Sequence, residues 1–145
     1  MTAVGRRLAF DYGDIRTGVA VSDPHGILVT PHATLLTQSE TFLATLQELV
    51  SEVEPLYIAV GSPLHLSGEA SAKMESVSLF VDILKGLTEV PIHLIDERLT
   101  TVTAQGRMRD AGKSSKVSKS MIDSVAAATI LEQALRAEKN GTLTQ

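Results

Sequence analysis

The chain has no cysteine and no tryptophan among its 145 residues. The first absence excludes a disulfide framework and every thiolate metal site, and it suits a cytoplasmic protein. The aromatics are few: Phe10, Tyr12, Phe42, Tyr57 and Phe80. They are too scattered to form a platform of stacked bases. No apolar run is long enough to span a bilayer, so no membrane partner is expected. The opening stretch, Met1-Thr2-Ala3-Val4-Gly5-Arg6-Arg7, lacks an apolar signal core. The four histidines (His25, His32, His65, His93) show no metal-ligand spacing, and no Ser-His-Asp arrangement stands out. The length fits one domain, 1–145, with residues 140–145 expected as a frayed tail.

What is present is more telling. The net charge is −4, which by itself disfavours a nucleic-acid partner. Its distribution points the other way. Between Arg107 and Lys119 lie Arg107, Arg109, Lys113, Lys116 and Lys119 against the single acid Asp110. This local +4 stands against −8 over the rest of the chain. Such a segment is either a solvated loop or a patch that meets a polyanion.

The segments alternate in type. Arg7 to Asp11 reads as a buried strand and Thr17 to Ser22 as a second. The turn between them is too short for a crossover helix, which predicts an antiparallel pair. A third strand is expected over Ile27 to Thr30, extending toward Leu35 and bent around Pro31. Thr37-Gln38-Ser39-Glu40 fits a capping box. Behind it, Phe42, Leu43, Leu46, Leu49, Val50 and Val53 fall on one helical stripe. Leu56 to Val60 is a short buried strand. A helix from about Ala70 to Leu87 follows, and Pro91 opens a strand ending at Asp96. Thr100 or Thr101 can cap a third helix, which Gly112 stops. A final helix is expected from about Val117 to Lys139. Three strands as a meander, then strand-helix alternation, predict an α/β fold with a mixed sheet and helices on its faces.

Three acidic positions carry the chemistry. Asp11 ends the run Leu8-Ala9-Phe10, before Tyr12-Gly13-Asp14. Asp and Gly there also suit a plain hairpin turn. Asp96 and Glu97 end the next such run, followed by Arg98. Acids at a helix start complement its dipole, but Arg98 fits a phosphate better. Asp123 lies in the last helical pattern, with Ala126, Ala127 and Ile130 on its face. Acids on apolar faces usually pair or coordinate, unless Ser120 caps the helix and Asp123 closes a capping box. Acids gathered at one sheet edge repel one another, and divalent cations would neutralise them.

Four blocks match a known family. Asp11-Tyr12-Gly13-Asp14-Ile15-Arg16-Thr17-Gly18-Val19-Ala20-Val21-Ser22-Asp23 resembles the first block of the YqgF family, also called RuvX. Gly61-Ser62-Pro63-Leu64 with Ser67-Gly68-Glu69 is similar to its second. Asp96-Glu97-Arg98-Leu99-Thr100-Thr101 with Ala104 resembles its third, and Lys119, Ile122-Asp123-Ser124 and Ala126-Ala127 its last. Ser62 departs from the family's usual Leu, and His65-Leu66-Ser67 from its usual polar stretch.

The resemblance implies an RNase H-like fold: a five-stranded mixed sheet, its first three strands an antiparallel meander, flanked by helices. It also implies a nuclease dependent on Mg²⁺ or Mn²⁺. The favoured substrate is the 5′ end of pre-16S rRNA, with the ribosomal small subunit a possible partner and four-way DNA junctions the alternative. A non-catalytic RNA-binding assembly factor is a further alternative. By position, Asp11, Glu97 and Asp123 would be catalytic, with Asp96 competing with Glu97 as metal ligand. In a two-metal scheme Asp11 would bridge the ions. Arg16, Arg98, Lys113, Lys116 and Lys119 would hold the phosphate backbone.

Overall fold

Leu8, Ala9 and Phe10 are fully buried in succession, so strand β1 (Leu8–Asp11) is covered on both faces. It is the central strand of the sheet in a computed structural model that describes residues 4–62, 69–96 and 119–143. The elements follow as β2 (Arg16–Ser22), β3 (Val29–Leu36), α1 (Phe42–Val53), β4 (Ile58–Ser62), α2 (Glu69–Leu87), β5 (Ile92–Asp96) and α3 (Lys119–Asn140). The strand order is β3-β2-β1-β4-β5. β1, β2 and β3 form the antiparallel meander, while β4 lies parallel to β1 and β5 parallel to β4. The expected helix between Thr100 and Gly112 lies outside the described residues. No described helix is long and apolar enough to cross a membrane.

Side-chain alternation sorts the core into two layers. Leu8, Phe10, Val19, Ile58 and Val60 face α1 and α2, meeting Leu46, Val50, Val77, Phe80 and Leu84. Each such fully buried side chain contributes roughly 1.5–3 kcal/mol. Ala9, Ala20, Ala59 and Ile95 face α3, meeting Ala127, Ile130, Leu131 and Ala134. Alanine on both sides lets α3 approach the sheet closely.

Local chemistry shifted several boundaries. β3 begins at Val29 rather than Ile27, because the Asp23 carboxylate accepts the N–H groups of Ile27 and Leu28, each at 2.7 Å. Those bonds hold the Asp23 carboxyl below its ordinary pKa, Leu28 contributing most. Pro31 stays within the strand, which is an edge of the sheet where a missing N–H is tolerated. The expected bend is a register shift: Val19 pairs Ala33, while the adjacent Ala20 pairs Pro31.

The capping box does not form. Thr37 Oγ1 instead meets Thr17 Oγ1 at 2.8 Å and donates to the Gly13 carbonyl at 2.6 Å. The helix starts three residues after Ser39, and the Thr41 side chain at its cap bonds Ser39 Oγ rather than a helical N–H. Leu43 is exposed, and the buried stripe keeps Phe42, Leu46, Leu49, Val50 and Val53.

The far end of the sheet is closed by Arg7, 1% exposed. Its guanidinium donates to both oxygens of Glu138, from Nε at 3.2 Å and Nη2 at 2.6 Å, and from Nη1 to the carbonyls of Gly5 and Pro24. The Tyr57 hydroxyl is buried beside this pair with no hydrogen-bond partner among the described residues. Burial first, then the Glu138 carboxylate, pushes its pKa well above the usual phenol range.

Candidate functional site

The parallel strands β1, β4 and β5 end together at Asp11, Ser62 and Asp96, so one sheet edge collects them. Such edges are where α/β sheets hold ligands. The hairpin leaving Asp11 is braced from three sides. Gly13 has no room for a Cβ, which would fall against the Arg16 carbonyl. The Gly13 carbonyl accepts Thr37 Oγ1, and the Tyr12 carbonyl accepts Lys73 Nζ from α2 at 2.5 Å. The Tyr12 ring stacks on Phe80 at 4.6 Å. Burial, then the nearby Asp14 charge, raises the Tyr12 pKa. Lys73 was not among the residues singled out from sequence, because its position in α2 gives no sign of the hairpin it reaches.

Asp11 pairs with Gly18 across β1 and β2. Directly opposed residues share a face, and Asp11 shares the parity of Ala9, which packs on α3. Asp11 and Gly18 therefore belong to the α3 face. A Cβ on Gly18 would collide with the Asp123 carbonyl group and lie 3.0 Å from the Ser124 nitrogen. The backbone of α3 rests where that side chain would be. Gly18 thus brings Asp123 to the strand position opposite Asp11.

The start of α3 decides the alternative reading of Asp123. The helix begins at Lys119, so Ser120 is its second residue and not its cap. Asp123 is half-buried, and its Oδ2 accepts a hydrogen bond from Arg16 Nε at 2.8 Å. Arg16, expected as a phosphate ligand, is here the ionic partner of a candidate metal ligand. Arg16 and Gly18 share parity along β2, which puts the guanidinium on the α3 face as well.

Asp96 is placed differently. It pairs with Ser62, and Leu94 pairs with Val60, which faces α1 and α2. Ser62 itself is buried with its Oγ 3.1 Å from Met74 Sδ of α2. Asp96 therefore has the parity of the α2 layer, opposite to Asp11. Glu97, Arg98, Lys113 and Lys116 lie outside the described residues, as does the Lys119 side chain. Among the described residues no three acids or histidines form a metal-holding group. Asp11 and Asp123 supply two hard oxygen donors on one face, a donor set that fits Mg²⁺ or Mn²⁺ with retained waters.

Comparison with known proteins agrees with this architecture. A family model described as "RuvX: Holliday junction resolvase" matches residues 5–137. A Streptomyces coelicolor protein named "Putative pre-16S rRNA nuclease" is 44% identical over 137 residues, covering 93% of this chain and 82% of its own. A Clavibacter sepedonicus protein of the same name is 41% identical over 138 residues, covering 94% and 86%. Among solved structures, Thermus thermophilus RuvC in complex with a Holliday junction substrate superposes with a TM-score of 0.62. That match covers 96% of this chain and 98% of the RuvC chain at 15% identity, a likeness of fold. The fold is thus RNase H-like, as RuvC's is.

Proposed function

The chain belongs to the RuvX family, and on that footing we propose that it is a metal-dependent nuclease that matures the 5′ end of pre-16S rRNA. The observation that carries the reading is the placement of Asp11 and Asp123 on one face of the sheet, joined across Gly18 at the edge where β1, β4 and β5 end. Arg16 pairs with Asp123, but one guanidinium offsets only one of the two carboxylates on this face, and the remaining negative charge favours a cation.

Asp11, Asp123 and Glu97 would hold Mg²⁺ or Mn²⁺. Glu97 is preferred to Asp96 because Asp96 has the parity of the opposite face. A bound ion supplies an activated water and neutralises charge on the leaving oxygen. The protein's own part is positioning. The braced Tyr12-Gly13 turn fixes Asp11, and the close seat on Gly18 fixes Asp123. Arg16, Arg98, Lys113, Lys116 and Lys119 would grip phosphates, giving affinity with little sequence reading.

The test is a cleavage assay with and without Mn²⁺, offering pre-16S rRNA and a synthetic four-way junction side by side. Wild type is expected to cut the RNA only with metal, and Asp11→Asn to abolish cutting with the fold intact by circular dichroism. Full activity of Asp11→Asn would sink the mechanism. The family model's description favours one second reading, junction resolution. Preferential, symmetric cutting of the junction by a dimer would select it.

A further inference from the structure

Arg7 and Arg16 are committed to very different degrees. Arg7 is saturated: both Glu138 oxygens and two backbone carbonyls take its donors, and it is sealed from solvent. Arg16 uses one donor, Nε, on one oxygen of Asp123. Its side chain is 34% exposed and that of Asp123 22%. Neither side chain has another polar partner among the described residues. Among the described residues the terminal fork of Arg16 is therefore uncommitted, and so is Asp123 Oδ1.

We propose that Arg16 is an exchangeable counter-ion: it occupies Asp123 in the metal-free site and leaves when a divalent cation loads. The inference rests on the reading of Asp11 and Asp123 as metal ligands. Without a cation these two acids share a face, and the guanidinium relieves part of their repulsion. With a divalent cation on the same carboxylate, the two positive charges would lie about 5 Å apart. Even at the dielectric constant of water, that repulsion corresponds to about a tenfold loss of metal affinity. A half-exposed, single-bond ion pair is worth no more than about fivefold in return. The ion pair is the weaker contact and gives way. Its release frees a planar fork of donors at the site's rim, the geometry that suits phosphate. Metal loading and readiness for a polyanion are thereby coupled through one side chain.

Two measurements test this. Mn²⁺ titration calorimetry compares wild type with Arg16→Gln, which removes the competing cation. The variant is expected to bind Mn²⁺ about fivefold more tightly, the most that the displaced ion pair is worth. Separately, the Arg16 Nε–H resonance of wild type is followed by NMR as Mg²⁺ is added. It is expected to shift with the metal isotherm, in step with loss of the bond to Asp123. The second experiment needs no variant, so it stands if Arg16→Gln folds poorly. Unchanged or weaker Mn²⁺ binding by a folded Arg16→Gln, or an Nε–H signal indifferent to Mg²⁺, would overturn the exchange while leaving the metal site in place. Absence of Mn²⁺ binding by both proteins would overturn the metal reading and the exchange with it.

Discussion

Gly18→Ala is a one-methyl test of how the site is assembled. The added Cβ falls on the carbonyl carbon and oxygen of Asp123, backbone atoms that no rotamer change can move aside. α3 is fixed further along by Ala127, Ile130, Leu131 and Ala134, all essentially sealed from solvent. Only its first turns can lift, by about 1 Å, to restore an ordinary contact. Overpacking of this kind costs about 1–3 kcal/mol, and collision with backbone belongs at the upper end. For a chain of 145 residues, unfolding entropy near 0.3 kcal/mol/K turns about 3 kcal/mol into a melting-point drop of about 10 °C. The lift also separates Asp123 from Asp11, and a displacement of about 1 Å costs roughly a hundredfold in rate. Gly86→Ala is the control. Its Cβ would meet nothing within 4 Å, and alanine is the better helix former by about 1 kcal/mol. Calorimetric melting and Mn²⁺ titration of both variants decide the matter. A Gly18→Ala protein that melts within about 2 °C of wild type and binds Mn²⁺ equally well would refute the idea that Gly18 seats the helix.

The opposite end of the sheet yields two further expectations. Arg7→Met removes every donor from Glu138 that Arg7 supplies and leaves the Gly5 and Pro24 carbonyls short of a partner. Urea denaturation should show a loss of about 3 kcal/mol, with Mn²⁺ binding by the folded protein unchanged; a midpoint equal to that of wild type would contradict the buried network. Tyr57→Phe deletes a buried hydroxyl that has no hydrogen-bond partner among the described residues. Its removal should leave stability unchanged or raise it by up to about 1 kcal/mol, and a clear fall in melting temperature would mean that the hydroxyl does bond.

The meander was legible because four residues between Asp11 and Arg16 cannot carry a crossover, and the paired strands bear this out. The parallel edge was legible for the complementary reason: a whole helix separates β4 from β5. Capping at Thr37 was misread because the competing partners, Thr17 and Gly13, come from the first hairpin and appear only once β3 has paired. Leu43 fell on the periodic stripe by spacing, but its edge position leaves it in solvent. For the site, the acids were visible as strand ends and as an acid on an apolar helix face. What joins them was not. Gly18 carries no chemistry, and its role exists only when β1, β2 and α3 are stacked. The Arg16–Asp123 bond spans 107 positions and has no local signature. The choice between Asp96 and Glu97 rests on strand parity, which needed the register of β5 against β4.

The seat of α3 also bears on when the molecule acquires its chemistry. The helix is fastened at one end by Gly18 and Arg16 and at the other by Arg7, links that close loops of 107 and 131 residues. A nascent chain that has emerged only through β5 already carries Asp11 and the seat at Gly18 but lacks Asp123. The pair of acids therefore forms only when α3 docks on the sheet.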